Sequence, residues 1–506
     1  MTALERSSTI AVVGTGTMGQ GIAQVALAAG HHVRLYDAAP GRAEQAERET
    51  NQRFDRLVEK GRLDAAERDA ARARLAPAVR LEELAGASLV IEAILEDLGA
   101  KQQLFSALET VVRDDCLLAT NTSSLSVTAV AGALRLPGRF LGLHFFNPAP
   151  LMPLVEVVSG HATDEAAATA AYETAAAWGK TPVRCTDTPG FIVNRIARPF
   201  YAEAFRLYEE GAADPATIDA VLRECGGFRM GPFELTDLIG HDVNEAVTRS
   251  VWESFFHDPK FTPSLAQRRL VESGRLGRKS GRGWYDHAQG AQRPEPRTAG
   301  PEDAPGEVTV SVGEGSPAAA LLELIREAGI KVHEGHSARE YETHIELPGD
   351  GLLYLADGGV STQEDDSDAV QFDLALDYRS ATRIALAPAD SARPETVRAA
   401  TGLFQALGKQ VSVIDDVPGL IVARTVAMLV DFAADALARG VASAADIDTA
   451  MRLGANYPRG PLEWGDVLGP GWVYCLLQEL RENYPGGRYA SSGLLYRRWV
   501  TKRKLL

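Results

Sequence analysis

Cysteine is scarce in this 506-residue chain, and the four present, Cys116, Cys185, Cys225 and Cys475, stand alone. With no C-x-x-C pair, the usual thiolate zinc and dithiol redox motifs are excluded, and no metal is expected. A reducing, cytoplasmic compartment is the simplest reading of so few thiols. Basic residues are outnumbered: 52 Lys and Arg stand against 68 Asp and Glu, for a formal net charge of -16. So acidic a chain lacks the basic face that tracks a phosphate backbone, and no nucleic-acid partner is expected. No segment approaches the ~20 apolar residues of a membrane-spanning helix, so no membrane partner is expected either. No basic segment followed by an apolar run opens the chain, as a secretory signal would.

What is present is an ordinary globular composition, 45% hydrophobic and 24% charged, in a chain long enough for about two to four domains. Ile10-Ala-Val-Val13 reads as a buried strand and Gly14-x-Gly16-x-x-Gly19 as a tight turn. A helix follows from Met18 to Ala29, stopped by Gly30, and His32 to Tyr36 is a second strand ending at Asp37. A lone glycine fingerprint is weak. Here it follows a strand, opens a helix and has an acidic residue twenty-one positions after Gly16, and that context marks a dinucleotide site. Gly14, Gly16, Thr17, Met18 and Gly19 are the expected pyrophosphate cradle at a helix N-terminus. Asp37 would accept from a ribose 2′-hydroxyl and repel a 2′-phosphate, which favours NAD over NADP.

Residues 41–85 read as two exposed helices around Lys60-Gly61. Strands are expected at Leu89 to Ile94 and Leu117 to Ala119, with a helix from about Ala100 to Val112. The pattern turns helical at Pro189. Residues 288–306, rich in Gly, Pro, Gln and Glu, read as a linker. A shift of 229 residues lays Trp178-Gly-Lys180 on Leu407-Gly-Lys409, Pro189-Gly190 on Pro418-Gly419, Arg195 on Arg424, Asp219 on Asp448 and Asp237 on Asp466. One gapless offset over some sixty residues points to a duplicated helical unit. The expected fold is an α/β Rossmann-type NAD-binding domain followed by an all-α domain, with a second, degenerate Rossmann-like plus all-α copy. The expected boundaries are 1–186 for NAD binding, 187–290 helical, 291–306 linker, 307–412 degenerate Rossmann-like and 413–506 helical.

Between these frames lies His144-Phe-Phe-Asn-Pro148, with Glu156 twelve residues beyond the histidine. Together with Asn121-Thr-Ser-Ser124, Leu154-Val-Glu-Val157, Asp187-Thr-Pro-Gly-Phe-Ile-Val-Asn-Arg195 and Gly277-Arg-Lys-Ser-Gly281, this run resembles the L-3-hydroxyacyl-CoA dehydrogenases over about residues 8 to 286. The resemblance implies that His144 is the catalytic base and that Glu156 orients it. It implies that Ser123 and Asn194 position the substrate oxygens. Asn121, Ser123, Glu96, Lys101, Asn147 and Lys279 fall on cofactor-contacting positions, and Lys60 on one near the coenzyme A moiety. Two-copy chains of this type resemble enzymes acting on 3-hydroxyadipyl-CoA and 3-hydroxybutyryl-CoA. The implied reaction is reversible NAD-dependent oxidation of an (S)-3-hydroxyacyl-CoA to the 3-oxoacyl-CoA, in fatty-acid or aromatic-acid breakdown. A carboxylated acyl end would want a cation in its pocket, and Arg198 or Arg229 are candidates by their proximity to motif residues.

The second copy reads as catalytically empty. The same offset puts Ala423 at the place of Asn194, Ala385 at that of Glu156 and Asp373 at that of His144. In Gly313-Glu-Gly-Ser-Pro-Ala318, Glu314 would repel pyrophosphate and Pro317 removes an amide donor. No residue at the same spacing replaces Asp37. The two helical units are expected to associate, as an intrachain pseudo-dimer or through a homodimer. Two other functions remain open on the sequence: a dehydrogenase of a free 3-hydroxy acid, and a non-enzymatic NAD sensor.

Overall fold

The computed structural model describes residues 2–337, 339–363 and 367–506. Two compact units divide the chain. The first is Met1–Asn194 with Gly440–Ala455, and the second is Arg195–Arg439 with Asn456–Leu506.

The first unit is built on one sheet of eight strands. In chain order the elements are β1 (Thr9–Val13), α1 (Thr17–Ala28), β2 (His32–Tyr36), α2 (Arg42–Glu59), α3 (Ala65–Arg74), β3 (Leu75–Ala78), β4 (Ala87–Glu92) and α4 (Leu98–Val111). There follow β5 (Leu117–Thr120), α5 (Val127–Ala131), β6 (Phe140–Phe145), β7 (Leu154–Ser159), α6 (Glu165–Ala177) and β8 (Thr181–Thr186). The strand order is β3-β2-β1-β4-β5-β6-β7-β8. The order reverses beside β1, and the Gly14 turn therefore opens at the topological switch point, where ligands bind in such sheets. Strands β1 through β6 are parallel, whereas β7 runs antiparallel to β6 with β8 parallel to β7. Ile10, Val12, Leu89, Ile91, Leu141 and Leu143 pack with Ile22 and Ala26 of α1 and Ala171 of α6 in one apolar core. Continuous apolar strands of this kind suit a sheet covered on both faces.

The two exposed helices of residues 41–85 are present, but β3 follows them and was not expected. Pro77 hides it from a propensity reading. The proline is tolerated because β3 is an edge strand, paired with β2 alone.

The second unit begins in the short helix α7 (Val193–Ile196), which straddles the boundary. It continues through α8 (Arg198–Glu209), α9 (Pro215–Glu224), α10 (Pro232–Ile239), α11 (His241–Ser254) and α12 (Leu265–Glu272). Residues 288–306 are irregular but anchored: the N–H groups of Arg297, Ala299 and Glu302 donate to Thr217, Val411 and Gln405. A second sheet follows, with β9 (Glu307–Val312), α13 (Leu321–Glu327), β10 (Lys331–Glu334), β11 (Thr343–Leu347), β12 (Gly351–Leu355), β13 (Ala369–Phe372), β14 (Arg383–Pro388), α14 (Pro394–Ala406) and β15 (Gln410–Val413). Its order is β10-β9-β11-β12-β13-β14-β15. The last helices are α15 (Val422–Ala438), α16 (Ala444–Gly454), α17 (Pro461–Leu468), α18 (Pro470–Asn483) and α19 (Gly493–Thr501); of these, α16 belongs to the first unit.

The 229-residue offset reaches well beyond the helices in which the sequence displays it. Strand β7 recurs as β14, α6 as α14 and α11 as α18, residue for residue at both ends. Even unusual backbone recurs: Phe191 and Leu420 both adopt left-handed φ, 49° and 51°. In the second unit α8 packs on α15. Arg195 reaches Asp435 at 2.7 Å, and Arg424 reaches Glu203 at 3.0 Å and Glu210 at 2.7 Å. Each guanidinium also lies over an aromatic ring, Phe255 or Tyr484, themselves 229 residues apart. The recurrence of Arg195 as Arg424 is thus structural, and the two helical copies pair within one chain.

The second sheet has lost its nucleotide crevice. Strand β11 runs antiparallel to β9, whereas β4 is parallel to β1. A Cβ on Gly315 would meet the Tyr341 ring at 3.1 Å, whereas one on Gly16 of the first copy would meet nothing within 4 Å. Helix α13 starts at Leu321 instead of directly at the turn. A carboxylate does end β10, Glu334, but it is ion-paired with Arg326.

Candidate active site

The glycines of the first unit meet the steric demands of a dinucleotide turn. Gly14 has φ +95°, and a Cβ there would lie 2.5 Å from the Ala93 carbonyl. A Cβ on Gly19 would lie 1.8 Å from the Gly14 carbonyl, so helix and strand could not close. Gly16 has nothing within 4 Å of its Cβ position, which leaves bare backbone facing open space before α1. Thr17 and Met18 begin that helix. Asp37, at the end of β2, takes the backbone N–H and hydroxyl of Thr15 on one oxygen, at 2.9 and 2.7 Å, and the Ala39 N–H on the other at 3.0 Å. Burial alone would raise its pKa, but these hydrogen bonds outweigh it and hold the carboxyl below its ordinary range. Sequence reasoning missed Thr15; its signal is a hydroxyl between the first two glycines. This cradle fits NAD.

The catalytic candidates lie on β6 and β7. The antiparallel register sets His144 opposite Glu156. The His144 Nδ1 and the Glu156 Oε2 are 2.6 Å apart. Glu156 is fully buried and His144 is 5% exposed. The other oxygen of Glu156 accepts from the N–H groups of Ile192 and Val193, at 3.0 and 2.9 Å. The carboxylate therefore ties the imidazole to the segment that carries Asn194. A carboxylate can only accept, so Nδ1 carries a proton, and in the neutral imidazole that leaves the lone pair on Nε2. Phe146 and Phe191 wall the ring, with centroids 4.5 and 5.7 Å away. Asn121 accepts from the Phe145 N–H at 2.8 Å and so fixes the end of β6 beside the histidine.

A second set of groups holds the Ser123 loop. Glu96 accepts from the Thr122 hydroxyl at 2.5 Å and from the N–H groups of Ser123 and Ser124 at 2.9 and 3.1 Å. Burial raises its pKa, yet the Lys101 charge and these donors win, and it stays low. Lys101 is itself 1% exposed, 2.6 Å from Glu92 and 3.2 Å from Glu96. Glu92, missed by the sequence reading, also takes the Thr120 hydroxyl and the Ile94 N–H, both at 2.7 Å. Asn147 is exposed just past β6, and Lys60 is exposed at the C-terminus of α2. Lys279 belongs to the second unit, where it pairs with Asp242. Arg198 and Arg229 also belong there. Arg198 is buried against Thr248 and Tyr201, while Arg229 is exposed. Among the described residues, no cluster of His, Cys, Asp or Glu could hold a metal, and no helix is long and apolar enough to cross a membrane.

A dinucleotide cradle with a histidine–glutamate pair on the same sheet defines a nicotinamide-dependent dehydrogenase. Residues 9–188 match the NAD-binding domain of 3-hydroxyacyl-CoA dehydrogenase, and residues 190–287 and 419–505 each match its C-terminal domain. Residues 353–418 match the reduced Rossmann-fold domain of 3-hydroxybutyryl-CoA dehydrogenase. The chain is 43% identical over 496 residues, 97% of each protein, to a 3-hydroxyadipyl-CoA dehydrogenase of Escherichia coli. It is 40% identical over 280 residues to a 3-hydroxybutyryl-CoA dehydrogenase of Mycobacterium tuberculosis, covering 55% of this chain and 98% of that one. The crystal structure of a 3-hydroxybutyryl-CoA dehydrogenase from Escherichia coli superposes with a TM-score of 0.88 at 42% identity, covering 98% of this chain and 99% of that one. The chain belongs to the 3-hydroxyacyl-CoA dehydrogenase family and is an NAD-dependent oxidoreductase.

Proposed function

We propose that this protein oxidises (S)-3-hydroxyacyl-CoA thioesters reversibly to 3-oxoacyl-CoA, with His144 as the base. The observation that carries the assignment is the His144 Nδ1 to Glu156 Oε2 contact of 2.6 Å in a buried setting. Nε2 takes the proton of the 3-hydroxyl, and Glu156 stabilises the imidazolium that forms. Ser123 and Asn194 hold the oxygen as it becomes a carbonyl. Asp37 and the Gly14–Gly19 turn hold NAD, which when bound supplies the two-electron acceptor. Lys101 serves NAD through Glu96, Asn147 meets it directly, and for Lys279 the role of a cofactor contact rests on the family resemblance alone. Lys60 meets the coenzyme A.

We assign 3-hydroxyadipyl-CoA as the first substrate to test, because the relative bearing that name matches along 97% of both chains. 3-Hydroxybutyryl-CoA is the alternative, because the superposed Escherichia coli structure is that of a 3-hydroxybutyryl-CoA dehydrogenase. A spectrophotometric screen of 3-oxoacyl-CoA esters with NADH, including 3-oxoadipyl-CoA and acetoacetyl-CoA, ranks the two. Turnover of free 3-oxo acids in place of thioesters would overturn the assignment. The four unpaired cysteines suit a cytoplasmic enzyme, and the paired helical copies suit a chain that acts without a second subunit.

A further inference from the structure

Each half of this chain lends a helix to the sheet of the other. Helix α16, from the second copy, lies on β7 and β8 of the first sheet, and α9, from the first copy, lies on β14 of the second. The exchange is reciprocal down to single hydrogen bonds. The Thr186 N–H donates to the Val441 carbonyl at 2.9 Å, and 229 residues on, the Asp415 N–H donates to the Ala212 carbonyl at 3.0 Å. The strand that carries Glu156 is therefore backed by a helix encoded nearly three hundred residues later.

The last residue of α16 is Gly454, and its counterpart at the end of α9 is Cys225. Cys225 is buried, and its thiol donates to the Leu374 carbonyl at 3.2 Å. That fold has Ala385 in place of Glu156 and nothing catalytic to protect. At Gly454 there is no such room. A Cβ would stand 2.6 Å from Leu154 Cδ2 and 2.8 Å from Val193 Cγ2. Leu154 lies two residues before Glu156 on β7, and the Val193 N–H is one of the two donors on Glu156. Both neighbours are buried, so packed surroundings limit their escape. Glycine disfavours helix, and Gly454 does not have the positive φ that would require it.

We propose that Gly454 is a positioning residue for the catalytic pair: its missing side chain lets α16 seat against Leu154 and Val193, and that seating sets where Glu156 holds His144. The second copy, though empty, then completes the first copy's site. This inference rests on the assignment of His144 as base.

The test compares Gly454→Ala and Gly454→Cys, the latter being the side chain its counterpart carries. Each is made alone and with Leu154→Ala and Val193→Ala together, which removes the opposing methyls. Steady-state kinetics with an active 3-oxoacyl-CoA and NADH are read beside NADH affinity and thermal midpoint. The expected result is a fall in kcat of about ten-fold or more, because small displacements of a catalytic group are costly, with NADH affinity unchanged and kcat largely restored relative to the Leu154→Ala/Val193→Ala background. Wild-type kcat in both single variants overturns the proposal. So does a loss that the paired Leu154→Ala and Val193→Ala changes fail to relieve, or one that falls on NADH affinity instead. Should Gly454→Cys not fold, Gly454→Ala carries the same comparison. His144→Ala is run in parallel: if it keeps activity, the base assignment fails, whatever Gly454 does.

Discussion

His144 and Asp373 hold the same place in the two halves of this chain. His144 lies on β6 and faces Glu156 on the antiparallel β7; Asp373 directly follows β13, and its N–H donates to the Ala385 carbonyl of the antiparallel β14 at 3.0 Å. In the first half the carboxylate of Glu156 receives the N–H groups of Ile192 and Val193. In the second, Asp373 receives those of Ile421 and Val422, the residues 229 positions on, at 3.0 and 2.8 Å. The carboxylate that caps the helix survives the duplication by moving one strand across. The position it takes is the one His144 holds in the first copy, so the second copy has a carboxylate there in place of an imidazole.

His144→Ala is expected to lower turnover by about 10²–10⁴-fold, the usual share of a general base. NAD affinity should hold, since the glycine cradle is untouched. Initial rates and a fluorescence titration with NADH check both parts. Turnover at the wild-type level would remove the histidine from the reaction.

Glu156→Gln should impair turnover less than His144→Ala does. Glutamine keeps one accepting oxygen for either the imidazole or the two backbone donors, but carries no charge to stabilise the imidazolium. Kinetics equal to wild type would deny Glu156 its partnership.

Asp37→Ala is expected to narrow the preference for NAD over NADP, because it removes the charge that opposes a 2′-phosphate. The ratio of kcat/KM for the two cofactors is the measurement. An unchanged ratio would place the ribose elsewhere.

Calorimetry with NADH is expected to find one site per chain. In the second sheet the Tyr341 ring stands against Gly315, whereas Gly16 of the first faces open space. Two sites of comparable affinity would contradict a crevice filled in this way.

Acid should loosen the second unit in a defined window. Burial would raise the Glu203 carboxyl, but the charges of Arg488 and Arg424 prevail and bring it from an ordinary 4.5 to about 2. A lowered carboxyl contributes stability above its unfolded pKa and loses it as pH falls through the folded one. The contribution is thus expected to fade from about pH 4.5 down to about pH 2. Glu203→Gln should flatten that slope in denaturant melts and cost about 3–5 kcal/mol at neutral pH, since buried Arg488 loses the carboxylate it pairs with and Arg424 keeps only Glu210.

The sequence by itself determined the local chemistry. Glycine spacing, an acidic residue after the second strand, and a histidine and glutamate one hairpin apart all act within a few dozen residues, where chain geometry leaves little choice. The duplication was also legible, because a fixed offset needs no structure to be seen. Other features were decided only in three dimensions. Lys101 is enclosed by Glu92 and Glu96, Lys279 is held by Asp242, and Pro77 sits in an edge strand. The helix behind Glu156 comes from the far end of the chain. Periodicity reports which face of an element is buried but not what covers it, and a charge in sequence does not name its partner. Burial and pairing are long-range properties, and packing alone selects among the surfaces that could satisfy them.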